Sequence, residues 1–133
     1  MLKLEIVTPE RRVIDTEAES VTVPTASGEA GILTNHAPLI SALKPGVLSY
    51  AVKGKAEELA VSTGFVEVSG NQVSILTDVA ETADDVDTAR AKTDREDAER
   101  ELAANAAAEA ETNAVIRDRI DLANARLTVA RGK

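Results

Sequence analysis

The sequence predicts an α+β chain, with an N-terminal antiparallel β-sandwich over residues 1–83 and a C-terminal two-helix antiparallel hairpin over residues 84–133. Three observations carry this expectation. Short runs rich in Val, Ile and Leu alternate with closely spaced turn residues through the first two thirds, as the strands of a sandwich or flattened barrel do. At Ala80-Glu81-Thr82-Ala83-Asp84-Asp85 the composition then changes abruptly to Ala, Glu, Asp and Arg, residues that start or favour helices. Beyond that point charges recur at helical spacing, as in Glu96 with Arg100.

Leu2, Leu4 and Ile6 alternate with Lys3 and Glu5, a period of two that buries one face of a first strand before Thr8-Pro9 ends it. Val13-Ile14 and Val21-Thr22-Val23 supply two more short strands, the latter stopped by Pro24. Ser27 to Gly46 packs three glycines, two prolines and the only histidine into twenty positions, a structured loop region. Gly28 and Gly31 allow positive φ on either side of a short turn, and Lys44-Pro45-Gly46 is a strong turn signal. Val47 to Val52 resumes the apolar pattern, Lys53-Gly54-Lys55 turns it, and Glu58 to Ser62 returns. After Gly64, Phe65 to Val68 and Val73 to Leu76 flank a second hairpin signal at Ser69-Gly70-Asn71-Gln72. One Phe and one Tyr leave Val, Ile and Leu to fill the core.

Asp84, Asp85 and Asp87 sit where a helix N-terminus favours negative charge, so a first helix is expected from Val86 to about Ala104. Asn105 to Thr112 holds neither Gly nor Pro, so nothing in that stretch forces a turn. A second helix is expected from near Asn113, with Ile116, Ile120, Ala123, Leu127 and Ala130 as a narrow apolar stripe. It carries Arg117, Arg119, Arg126, Arg131 and Lys133 against only Asp118 and Asp121, reversing the charge of the first helix. Tertiary packing supplies most helix stability, so a pair held by one thin stripe is marginal and is expected to be bistable: folded as a hairpin, or extended.

A chain of 133 residues with a formal charge of -8 has no clustered excess of Lys and Arg, which excludes nucleic acid as a partner. The absence of cysteine excludes a disulfide framework and thiolate metal sites. No apolar run approaches the roughly 20 residues of a membrane helix, so membrane association is expected to be indirect. The start of the chain reads as a strand, without a signal or transit segment, which favours a bacterial source. His36 is the only histidine, with no Cys nucleophile to pair with, and the carboxylates lack calcium-loop spacing. Enzymatic and metal chemistry are therefore disfavoured, and no cofactor is required.

The run Gly28-Glu29-Ala30-Gly31-Ile32-Leu33-Thr34-Asn35-His36-Ala37-Pro38-Leu39, followed by the Pro45-Gly46 turn, resembles the signature of the epsilon subunit of F-type rotary ATP synthases. The resemblance spans essentially the whole chain. It implies a non-catalytic central-stalk subunit that couples rotation of the membrane ring and the gamma subunit to the catalytic head, peripheral to the cytoplasmic face of a bacterial plasma membrane. It implies a mobile helical domain that inhibits ATP hydrolysis. The alternative from another class is a free-standing nucleotide-sensing or adaptor module.

Site residues follow from the resemblance position by position. Glu29 and His36 match the loop that meets the ring of c subunits, while the sandwich face docks on gamma; Glu29 read alone is a turn carboxylate in water. Val86-Asp87-Thr88-Ala89-Arg90-Ala91 resembles the motif with which several bacterial epsilon subunits bind ATP, and Glu81, Asp87, Arg90, Ala91 and Arg126 match its nucleotide contacts. Regulatory ATP, with magnesium, is the implied ligand. Asp97 and Leu122 stand where the best ATP binders carry arginine, so weaker binding is expected. Read without the resemblance, Asp87 is a helix cap and Arg90 a partner of Asp94. Arg117, Arg119, Arg126 and Arg131 match the basic face that opposes the catalytic beta subunits; read alone they are a solvated helix face.

Overall fold

The computed structural model describes residues 1–107 and 109–131, so Lys133 of the basic face lies outside the described residues. Ten strands run in chain order: β1 (Leu2–Val7), β2 (Arg12–Ala18), β3 (Ser20–Thr25), β4 (Gly28–Leu33), β5 (Leu39–Leu43), β6 (Gly46–Val52), β7 (Lys55–Val61), β8 (Gly64–Ser69), β9 (Gln72–Thr77) and β10 (Ala80–Glu81). A single 3-10 turn, Ala83–Asp85, leads to α1 (Thr88–Ala104) and α2 (Ala110–Ala130).

Hydrogen bonding links the strands in the order β10-β7-β6-β3-β5-β8-β9-β1-β2, with β4 joined to β3 alone. β3 is where the sheet changes layer: it pairs with β6 at Ser20 to Thr22 and with β5 only at Thr25. Folding the sheet there brings the inward residues of both halves into one apolar core, among them Leu4, Ile6, Val23, Ile32, Leu48, Leu59, Val66 and Ile75. The alternation of the first strand is realised, with Leu2, Leu4 and Ile6 fully buried. One pair departs from the antiparallel pattern, since β1 lies parallel to β9 with Lys3 opposite Gln72. No hairpin joins these two strands, so no turn dictates their relative direction.

Within the sheet, the local structure at Pro24, Gly31 and Gly64 differs from what the residue types suggest. Pro24 does not stop its strand: β3 continues to Thr25, with Pro24 opposite Glu29 of β4. On its other side Pro24 falls in the gap between the β6 and β5 ladders, where a missing N–H is tolerated. Gly28 has φ 114, but Gly31 is ordinary strand opposite Thr22. Gly64 needs to be glycine for a different reason, because a Cβ there would meet the Leu76 carbonyl oxygen at 1.9 Å.

The helices form an antiparallel pair, and α2 packs on β6 and β7. Arg95 Nη1 donates to Asn124 Oδ1 at 3.4 Å and Arg119 Nη1 to Glu101 Oε2 at 2.6 Å, fixing the two axes in opposite directions. α1 starts at Thr88, two residues later than expected, because Asp87 is its cap. α2 starts at Ala110, three residues earlier than expected. The chain reverses without Gly or Pro: Asn105 ends α1 and its Nδ2 donates to the Glu101 carbonyl at 2.9 Å, satisfying a terminal acceptor. Of the expected stripe, Ile116, Ala123 and Ala130 are buried while Ile120 and Leu127 are half-buried. A second buried set was not anticipated, with Ala125 and Val129 against Ala60, Val47 and Ala83.

Candidate functional site

A cleft of about 320 Å³ opens where the end of the sheet meets both helices, lined by Glu81, Asp85, Asp87, Arg90, Ala91, Asp94 and Arg126. All five residues named for nucleotide contact, Glu81, Asp87, Arg90, Ala91 and Arg126, lie here. Sequence reasoning did not name Asp85 as part of it, and Asp94 only as a partner for Arg90.

Each side chain is placed by local chemistry. Asp85 closes a capping box, its Oδ2 accepting from the Thr82 amide at 3.1 Å and hydroxyl at 3.0 Å. Asp87 caps α1, accepting from the Arg90 amide at 3.0 Å, so the capping role is realised whatever else this residue does. Ala91 is buried in the first turn of α1. Arg126 Nε, on α2, donates to Glu81 Oε1, on β10, at 2.5 Å. Arg90 makes no ion pair among the described residues, with Asp94 or any other carboxylate. With four carboxylates against two guanidiniums, the lining is formally -2. It repels bare anions except close to Arg90 and Arg126, and a bound divalent cation on a polyphosphate lowers that repulsion. Asp97 and Leu122 are absent from the lining; Asp97 pairs with Arg100 on the exposed face of α1.

Glu29 and His36 are not brought together. Glu29, exposed on β4, lines a separate cavity with Lys44 and with Asp121 and Asn124 of α2. His36 lies beyond the other end of β4, and a six-residue strand spans about 17–20 Å. Its amide donates to the Leu33 carbonyl at 3.1 Å, and Nδ1 lies 2.6 Å from the Ala37 carbonyl, which assigns the proton to Nδ1. The neighbouring Asn35 adopts φ 67, and its amide donates to Asn71 Oδ1 at 2.6 Å, tying this loop to the β8–β9 turn. Asn71 is itself at φ 61, and its carbonyl accepts from the Lys3 amide at 2.8 Å.

The three arginines of α2 and Arg131 at its C-cap divide into two pairs. Arg119 and Arg126 are engaged by Glu101 and Glu81. Arg117 and Arg131 are exposed and make no ion pair among the described residues.

The outer face of β5, β8 and β9 carries an apolar surface. Ala42, Phe65 and Leu76 stand opposite one another, Val7 continues the row, and Ile40 lies two residues along. Ile40, Phe65 and Leu76 are 75%, 61% and 57% exposed, and Phe65 and Leu76 line a groove of about 690 Å³. Its signal was present in the sequence: with Val66 and Val68 inward, the chain's only Phe had to face out.

The family model for the ATP synthase delta/epsilon chain β-sandwich domain matches residues 1–83. The chain is 52% identical over 99 residues to the ATP synthase epsilon chain of Desulfitobacterium hafniense strain Y51, covering 74% of this chain and 75% of that one.

This chain belongs to the ATP synthase epsilon family.

Membership extends past the sheet, since the epsilon chain of Anaeromyxobacter dehalogenans is 40% identical over 129 residues, 97% of both chains. The fold matches a chain in a Euglena gracilis mitochondrial ATP synthase structure containing OSCP, F1 and the c-ring, with TM-score 0.78, 22% identity and coverage of 98% of this chain and 81% of that one. As an epsilon chain of the F-type enzyme it is a non-catalytic subunit, in line with the disfavoured reading of His36 as a base. No helix among the described residues is long and apolar enough to cross a membrane, which does not bear on membrane crossing by strands.

Proposed function

We propose that this epsilon chain works in the central stalk, where its sandwich couples rotation of the c-subunit ring and gamma to the alpha/beta head and its helical pair restrains ATP hydrolysis. Matching chains sit in assemblies described as F1 with a c-ring and as central stalk with c-ring, the latter from Tetrahymena thermophila at TM-score 0.54. Through those partners the chain is peripheral to the cytoplasmic face of a bacterial plasma membrane; the relatives at 40–52% identity are bacterial.

The observation that carries the coupling role is the exposed apolar face around Phe65, Leu76 and Ile40. An apolar surface of that kind marks an interaction site, and gamma is the occupant this reading assigns to it. This reading assigns the ring contact to the loop held by Asn35 and Asn71 and bearing His36, with Glu29 on β4 as a second, separate contact point. Restraint of hydrolysis follows from the helical pair: Arg117 and Arg131 are ready for an acidic partner, and Arg119 and Arg126 become so when the pair opens. The acidic cleft takes MgATP as a regulatory ligand, with Arg90 and Arg126 toward phosphate, more weakly than a cleft with further arginines would.

Reconstitution with gamma and the alpha/beta hexamer tests the coupling and the brake together. Phe65→Asp abolishes co-purification while the free chain stays folded, and removing residues 87–133 keeps co-purification and raises ATP hydrolysis. Equal hydrolysis with and without the helices removes the brake. Calorimetry of the purified chain that shows no heat at millimolar MgATP removes the nucleotide.

A further inference from the structure

Glu81 is carried over by resemblance as a ligand contact, yet in this chain it is already occupied. Its Oε1 accepts from Arg126 Nε at 2.5 Å, and the two side chains are only 27% and 24% exposed. The pair bridges 45 positions and joins the last strand of the sheet to α2. Among the described residues, the apolar cluster that joins α2 to the sheet is small: Ala125 and Val129 against Ala60, with Val47 and Ala83 at its margin. A half-desolvated ion pair is therefore a large share of that attachment.

The same pairing sets the cleft's response to anions. Arg126 already faces a carboxylate, and Asp85 and Asp87 are committed to the helix start through Thr82 and the Arg90 amide. A phosphate reaching Arg126 must displace Glu81 or lie beside its negative charge.

We propose that Glu81 and Arg126 form a ligand-independent latch that docks the helical pair on the sheet, and that Glu81 competes with phosphate for Arg126 instead of assisting it. The latch rests on the helical pair being a detachable regulatory arm, and the competition rests on the cleft taking a phosphate-bearing ligand. Its consequence is a pair of opposite signs at one residue: losing the Glu81 carboxylate loosens the empty chain and favours the anion. A residue whose role is to contact nucleotide has no such split.

Amide hydrogen exchange on the full nucleotide-free chain reads the latch directly. Glu81→Gln and Arg126→Gln each speed exchange of the α2 amides roughly five- to tenfold, while β1 and β9 amides stay at wild-type rates and certify the fold. The charge-swapped double variant Glu81→Arg with Arg126→Glu returns α2 exchange to within about twofold of wild type. Wild-type α2 exchange in both single variants, or no recovery in the double, overturns the latch. In a second arm, MgATP binds Glu81→Gln at least as tightly as wild type; weaker binding overturns the competition. Absence of binding in every variant counts against the nucleotide reading of the cleft, and the exchange result still decides the latch.

Discussion

The sheet and the helical pair are both held by aliphatic side chains, but of different sizes. The sheet's core is Leu, Ile and Val, with Leu4, Ile6, Ile32, Leu48 and Ile75 fully buried. Among the described residues the buried apolar set of the helices is Ala91, Ala98, Ala123, Ala125 and Ala130, with Ile116 and Val129 the only large members. Burial can be as complete in one region as in the other and still stabilise it far less, because the gain scales with the apolar area removed from water. A methyl group cannot replace an isobutyl group. The comparison teaches that relative exposure alone does not rank adhesion; side-chain size at the buried positions does.

The most direct way to break that contrast is to truncate one large residue in each region. Leu48→Ala is expected to cost about 2–5 kcal/mol and to lower the denaturant midpoint of the whole chain. Ile116→Ala is expected to fall at the low end of that range, about 2 kcal/mol, and to raise exchange only in the helices. Equal, global destabilisation by both substitutions would show that sheet and helices unfold as one unit.

Asn113 sharpens the comparison from the other side. It is buried in α2, yet its Oδ1 has no hydrogen-bond partner among the described residues. An unsatisfied buried acceptor opposes docking, so Asn113→Ala is expected to slow exchange in α2 and stabilise the pair by about 1 kcal/mol. Faster exchange in that variant would mean that the amide is satisfied and contributes to docking.

The smallest effect lies in the sheet. Tyr50, opposite Glu57 across β6 and β7, has its phenol pKa raised above the usual 10.0 by burial, with the Glu57 charge adding to it. The folded chain therefore holds the phenolic proton more tightly than the unfolded chain. That contribution to stability is complete below about pH 10 and is lost as the pH rises through the folded value. Tyr50→Phe is expected to flatten this alkaline decline in the denaturant midpoint; an unchanged slope would assign the decline to other groups.

Much of this was legible in the sequence where a pattern repeats. Alternation gives the inward face of β1, and the shift to Ala, Glu and Asp after residue 80 announces the helices. The cleft was legible through resemblance, which named five residues that the fold then gathered. What escaped depended on distant segments meeting. The Asn35–Asn71 pairing joins residues 36 positions apart. The burial of Ala125 and Val129 depends on α2 having a sheet to lie on. Likewise, the separation of Glu29 from His36 requires knowing that the glycine-rich stretch is strand and not turn. The Asn105 stop carries no Gly or Pro signal; it works through the Asn side chain, which satisfies a terminal carbonyl of the helix.

The parallel seat of β1 between β9 and β2 bears on how the chain is made. A ribosome delivers β1 ahead of β2, with which it can pair at once, but the slot beside β9 does not exist until residue 77 has emerged. Long-range pairing of this kind is slow to close. A strand made before its partners is thus among the last to be walled in, and α2 follows them from the tunnel to land on a surface already finished.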